Sequence, residues 1–465
     1  MRQAKSATAA PLLRRAVPAL AAGLASLSFA APALALDLLD SYRLALQNDA
    51  RHQASRAQAA ASREAVPQAR AQLLPNISAN LSRSKNSTDR ESLDFLGRTT
   101  SDSFEYFSSN YALTLRQPVF RMYNFAHYRQ AQRQVEGAEA TLDRSLQDLL
   151  VRLAGAYFEA LLAQDQHALV IAQKEAYAGQ LEAAKRLFAA GQGTRTDIDD
   201  AQARFDLTVA QELEASQNLG YTRRQLQTIV NEPVDALAAL EPARMELQSP
   251  TPASAEDWIA RGEEVNAELR ALRADIEVAR QEVDKARAGH YPTVDLIAQR
   301  SKSDSENNTS INTRYLTTLV GVQVNVPLFA GGYALSQTRQ AMANVERAEQ
   351  VYEARRREVG QEIRKEFQNV AEGILRVRAL EQAQRSAEQA VLSNQKGFQA
   401  GTRSRIDILD AQQQRVSVAR DLAVARYRYI VARLRLQSLV GSLDEAEIEE
   451  VNAWLVPAVE RGRLN

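Results

Sequence analysis

The sequence predicts a mainly helical chain with a four-stranded β contribution, on three observations. Gly (19) and Pro (13) are few for 465 residues and aromatics make up only 6%, while Ala, Gln, Arg, Glu and Leu fill long stretches. That composition suits extended helices and coiled coils rather than a thick globular core. Elsewhere short stretches alternate apolar and polar residues, the period of strands with one apolar face. The whole plan also occurs twice: residues 186–202, RLFAAGQGTRTDIDDAQ, are nearly repeated at 396–412, KGFQAGTRSRIDILDAQ. Phe188 aligns with Phe398, Gly191 with Gly401, Asp197 with Asp407 and Asp200 with Asp410.

The chain opens with Arg2, Lys5, Arg14 and Arg15, continues with an apolar run over 16–31 and reaches Ala33-Leu34-Ala35. This is the pattern of a secretory signal peptide over 1–35 with a small-residue cleavage site. No later run approaches the ~20 apolar residues of a membrane helix. An exported chain of this kind is periplasmic, secreted or inserted as a β-barrel.

The first repeat spans 36–232. Residues 38–73 read as a helix with a kink at Pro67, and Leu73-Leu74-Pro75 ends it. A strand follows at about 76–83, where Ile77, Ala79 and Leu81 alternate with Ser78, Asn80 and Ser82. Residues 85–105, rich in Ser, Thr and Asp, read as an exposed loop, and a second strand at about 108–119 runs into Gln117-Pro118-Val119-Phe120. From 122 to 190 there is no proline, and Leu142, Leu146, Leu149 and Leu153 keep the spacing of a coiled-coil seam. Gly191 and Gly193 then make a tight turn, and 195–230 return as an antiparallel helix.

A proline-bearing linker over 233–258 leads to the second repeat, 259–441. Its parts correspond in order: a helix at 266–288, a strand at about 293–301, a polar loop, a strand at about 315–328, a long helix over 335–399, a turn at Gly401 and a helix over 406–439. In the last strand Val320, Val322, Val324 and Val326 face one way and Leu319, Gly321, Gln323 and Asn325 the other. Residues 442–465 form an acidic and then irregular tail.

Composition excludes several functions. Lys+Arg and Asp+Glu both count 57, so no basic field attracts nucleic acid. Without cysteine there is no disulfide framework, thiolate metal site or lipidated Cys. His52, His127, His167 and His290 lie far apart, and no H-E-x-x-H, Walker A or G-x-S-x-G motif occurs, so we expect no enzyme, metal or cofactor.

Four strands cannot close a membrane barrel, which needs about eight, and an open edge in lipid leaves backbone groups unpaired. If the strands enter a bilayer, several chains share one barrel, and three chains, giving about twelve strands, leave an open lumen. The other reading is a periplasmic coiled-coil scaffold or adaptor protein. The duplicated plan favours the barrel. So do the strand entries Leu73-Leu74-Pro75 and His290-Tyr291-Pro292, the exits at Phe120 and Phe329, and G-T-R-x-x-x-D-x-L-D-A-Q at 401–412.

Together these features resemble the TolC family of outer membrane channels over about 37–441. The resemblance implies a homotrimer: long helical hairpins project into the periplasm and continue into a shared transmembrane β-barrel in outer membrane lipid, with an equatorial belt from the linker and tail. It implies the exit duct of a tripartite efflux pump or type I secretion system, coupled through a periplasmic adaptor (membrane fusion) protein to an inner-membrane transporter of RND, ABC or MFS type. By the same resemblance Asp407 and Asp410 ring the periplasmic aperture. Arg403 latches the closed state against Thr196 and Asp197. Phe398 stands where the family prototype has a tyrosine, so that hydroxyl is lost, and Arg405 replaces an apolar residue and is a candidate to take over the bond or to add positive charge at the mouth. The aromatics Tyr106, Phe107, Tyr111, Tyr315, Phe120 and Phe329 are candidates for girdles at the membrane interfaces.

Overall fold

The computed structural model describes residues 35–456; the signal peptide expected at 1–35 lies, apart from its last residue, outside them. Leu38–Asn48 (α1), Ala50–Arg63 (α2) and Ala65–Ala71 (α3) form three short helices where the sequence suggested one. The first break is at Asp49, whose extended backbone frees its carboxylate to accept from His52 N at 2.8 Å and to meet Arg152 at 3.1 Å. The second break, at Glu64, follows from Pro67: its ring lacks an N–H and crowds the carbonyl of Arg63 four residues back.

Asn76–Leu93 (β1) pairs antiparallel along its full length with residues 99–116 of Thr99–Phe120 (β2), so the loop expected at 85–105 shrinks to a turn at 94–98. There Asp94 accepts from the backbone N–H groups of Leu96 and Arg98 at 2.9 and 2.8 Å, and Gly97 takes φ +75°. The outer part of this hairpin is polar on both faces, which hides strand period; Arg90–Asp102, Asn86–Ser108 and Ser92–Thr100 pairs across the strands hold it.

Met122–Ala189 (α4), 68 residues and about 100 Å long, packs antiparallel on Arg195–Val230 (α5). The linker contributes Ala239–Leu240 (β3) and Ala255–Val265 (α6), and Ala267–Arg287 (α7) lies along α4. Thr293–Asp304 (β4) and Arg314–Asn325 (β5) complete a sheet of order β1-β2-β4-β5. The polar loop expected at 302–314 again shortens, to 305–313, and β5 stops before Val326-Pro327, where the ladder loses a donor. Tyr333–Gln399 (α8) and Arg405–Leu439 (α9) form the second hairpin.

The tail is more ordered than expected. Glu445–Asn452 (α10) is followed by Leu455–Val456 (β6), which pairs with β3 of the linker. Asn452 ties down the start of α1 by accepting from Leu38 N at 3.0 Å and donating to Asp37 Oδ2 at 3.0 Å. Linker, tail and first helix thus pack on one another and on the core of the long helices. The core sits where they meet. Leu149, Leu153, Tyr157, Phe158 and Leu161 of α4 are closed off by Leu226 and Val230 of α5, Ile363 of α8 and Ile430 and Leu434 of α9. Two of the four seam leucines, Leu149 and Leu153, are fully buried, and Leu146 packs against the same cluster.

Candidate functional site

The candidate functional features lie at the two ends of the helical hairpins. At the far tips each long helix ends in a left-handed glycine, Gly191 at φ +75° and Gly401 at φ +73°, a backbone conformation that favours glycine. Gln192 N donates to Leu187 O and Thr402 N to Gly397 O, both at 2.9 Å, closing the same turn twice. The returning helices start with reciprocal caps: Thr194 with Asp197, and Ser404 with Asp407. Backbone and hydroxyl donation from Thr194 and from Ser404 holds the Asp197 and Asp407 carboxyls below the usual carboxylate range.

Around this shared geometry the side chains differ. Gly193 lies close on the end of α4, where a Cβ would come within 3.1 Å of Phe188 N. Its counterpart is Arg403, whose stem covers Gly397 so closely that a Cβ there would be 2.7 Å from Arg403 Cγ. Arg405 places its guanidinium 5.5 Å from the centre of the Phe398 ring, and its positive charge helps lower Asp197 on the other hairpin. Within one chain the structure therefore places Arg405 over Phe398, with its charge felt at Asp197 of the other hairpin. Among the described residues no ion pair joins Arg403 to Asp197, and Thr196 shares no hydrogen bond with Arg403.

Asp407 and Asp410 sit one turn apart at the start of α9. Asp407 is bound into its cap, whereas Asp410, with a side chain 62% exposed, accepts from Arg204 Nη2 of α5 at 3.1 Å. Arg204 also reaches Gln413 Oε1 at 3.4 Å, and Gln180 of α4 meets Gln412 at 2.5 Å. These contacts tie the first hairpin to the second. The sequence reading missed Arg204. Its signal was the duplication itself, in which Arg204 stands where the second repeat has Gln414, but Asp200 four residues earlier made a local pair the simpler expectation.

At the opposite end the sheet has two distinct faces. On one, Ile77, Leu115, Ala298 and Val320 are neighbours across the strands; on the other, Ser78, Thr114, Gln299 and Leu319 are. Val320, Val322 and Val324 are 58–73% exposed, and β1 and β5 each keep an edge without a partner strand. Register places Phe107, Tyr111 and Phe120 on the apolar face but Tyr106 and Tyr315 on the polar one, so the expected girdle loses those two tyrosines to the period of the strand. Where strands meet helices, Asp295 is buried between Arg116 and Arg121 at 2.6 and 2.5 Å, clamping β4 of the second repeat to the first. Among the described residues no His, Cys, Asp and Glu cluster could hold a metal, and no helix is long and apolar enough to cross a membrane.

Comparison with known proteins agrees with this architecture. The family model described as Outer membrane efflux protein matches residues 41–232 and 258–442, the two repeats. The alkaline protease secretion protein AprF of Pseudomonas aeruginosa is 37% identical, with 91% of this chain and 88% of that protein covered. The proteases secretion protein PrtF of Dickeya chrysanthemi is 34% identical over 93% of this chain and 94% of that protein. The CmeC outer membrane channel of Campylobacter jejuni shares the fold, with a TM-score of 0.75 over 91% of this chain and 90% of that one at 15% identity.

Proposed function

The chain belongs to the outer membrane efflux protein family, and on that premise we propose that it is the outer membrane exit duct of a type I secretion system or tripartite efflux pump. The observation that carries this reading is the four-stranded sheet with an exposed apolar face, a polar face and two open edges. Such a sheet is viable in lipid only when copies of the chain close it into a barrel around water. Three copies supply about twelve strands, and their helical hairpins continue the wall into the periplasm. Transport through this duct is passive; an inner-membrane transporter drives it, joined through a periplasmic adaptor that docks in the helical grooves near Gly191 and Gly401.

Two relatives named for protease secretion favour a polypeptide cargo. In that reading the tips form the gate. Copies of Asp407 and Asp410 gather around one axis as an acidic ring that attracts cations. Arg405, stacked on Phe398 and acting on Asp197, takes the place of the missing hydroxyl within a chain, while Arg403 reaches Thr196 and Asp197 of a neighbouring copy.

The deciding test is reconstitution. The purified protein should run as a heat-modifiable trimer and give discrete, low-conductance steps in a planar bilayer. A monomer that stays soluble without detergent and leaves bilayers silent would instead support a periplasmic scaffold.

A further inference from the structure

The apolar face of the sheet changes character along the strands. Near the helices its rows are aliphatic, as in Val294 opposite Val324 and Leu296 opposite Val322. Farther out, Arg300 stands between Leu113 and Thr318, and Lys302 between Tyr111 and Leu316. The next row carries Arg83, opposite Ser109. Partners across an antiparallel ladder project to the same side. These three cations therefore emerge on the apolar face, not on the polar one that lines the lumen.

A cation on the lipid side of a barrel is costly at mid-membrane and nearly free at the interface. From Val294 to Lys302 the wall rises about 20 Å at the usual strand tilt, against an apolar band ~25 Å tall. The cations thus mark the upper rim of the band, at the strand ends remote from the helices. Two of them lie over rings: Lys302 Nζ is 5.9 Å from the centre of Tyr111, and the Arg83 guanidinium 5.1 Å from that of Phe107. Leu81, Tyr111, Leu113 and Leu316, with Arg300 and Lys302, line an open groove of about 340 Å³.

The charge there is in surplus. Asp304 is shared by Arg314 at 2.6 Å and Lys302 at 3.4 Å, and Glu105 neutralises Lys85 at 3.2 Å. Arg83 and Arg300 have no ion pair among the described residues. Apolar walls below and unneutralised guanidinium groups above match a ligand with acyl chains and an anionic head.

We propose that this groove binds a phosphate-bearing, acylated lipid of the outer leaflet, its chains against Leu81, Leu113 and Leu316 and its phosphates on Arg83, Arg300 and Lys302. The site rests on the reading that the sheet is a lipid-facing barrel wall. Basic residues at a headgroup surface recognise anionic lipid in this way.

The test is a native mass spectrometry titration of the detergent-solubilised trimer with bis-phosphorylated lipid A, its dephosphorylated form and inorganic phosphate. The combined variant Arg83→Gln, Arg300→Gln and Lys302→Gln should bind the phosphorylated lipid on the order of a hundredfold more weakly, and the dephosphorylated lipid as the parent does. Arg300→Gln alone, a change at an exposed side chain, should weaken binding about fivefold and decides the matter if the combined variant fails to assemble. Equal binding by parent and variants, or no preference for phosphate on the lipid, would overturn the site; so would displacement by inorganic phosphate alone, which would mark a free-anion site. Channel conductance of the same preparation separates the two readings: conductance with unselective lipid binding removes the groove and keeps the duct.

Discussion

The two hairpin tips use the same turn and reach different ends. Gly191 and Gly401 adopt the same φ within two degrees, and Thr194–Asp197 and Ser404–Asp407 make the same reciprocal cap. Yet the first tip has Leu187 and Gly193 where the second has Gly397 and Arg403, so the bulk sits before the turn in one and after it in the other. The acids one helical turn on also differ in company. Asp410 meets Arg204 from the other hairpin, while Asp200 is exposed and Arg204, on its own helix, turns away from it. A duplicated sequence thus fixes the local cap twice and frees the surrounding positions to differ, and on the proposed reading one turn is a gate and the other its frame.

The largest effect should come from removing acids at one tip only. Asp407→Ala with Asp410→Ala should weaken block by a trivalent cation in planar bilayers by roughly a hundredfold, because in the proposed ring several carboxylates face one ion. Asp197→Ala with Asp200→Ala should change block by less than about threefold. Equal effects at both tips would break the comparison.

A smaller effect is expected from the tie between the hairpins. Arg204→Ala frees Asp410, which should strengthen cation block and raise closed-state leak by about two- to fivefold, the range of a partly exposed ion pair. A double-mutant cycle with Asp410→Asn should remove that difference. Additive effects would show that Arg204 acts through something other than Asp410.

The smallest effect concerns what the tips share. Thr194→Ala and Ser404→Ala should each raise hydrogen exchange of their own turn about fivefold, and by the same factor at both, since the caps are alike. Asp197 and Asp407 are held below their ordinary value of 3.8 in the folded chain. The stability they add is therefore fully present above that value and disappears as pH falls through the lower folded value. Protection from exchange at both turns, taken relative to the intrinsic rate at each pH, should stay flat through pH 5 to 6 and fall together only below about pH 4.

Helix 122–189, the turns at Gly191 and Gly401 and the returning helices were legible because proline exclusion, glycine and a cap acid act within a few residues. The outer hairpin of β1 and β2 was not, because polar residues on both faces leave no alternation to read and only cross-strand pairs such as Arg90–Asp102 hold it. The break at Asp49 was hidden for a similar reason: its carboxylate is drawn by Arg152, about a hundred residues away, as much as by its own helix. At the tip, Asp407 and Phe398 could be placed from the repeat and Arg405 was already a candidate to act beside Phe398, but Arg204 as the partner of Asp410 could not be.

By itself the sequence determined the twofold plan, the hairpins with their glycine turns and caps, and the apolar and polar sides of each strand. These follow from local backbone preference and residue period, which any copy of the segment carries with it. Only the tertiary structure decided that Arg204 pairs with Asp410 rather than Asp200, that linker and tail close on each other through β3 and β6, and that Arg83, Arg300 and Lys302 share one face of the sheet. Each depends on distant segments meeting, and the contact that wins there is set by packing geometry and desolvation, which local pattern does not contain.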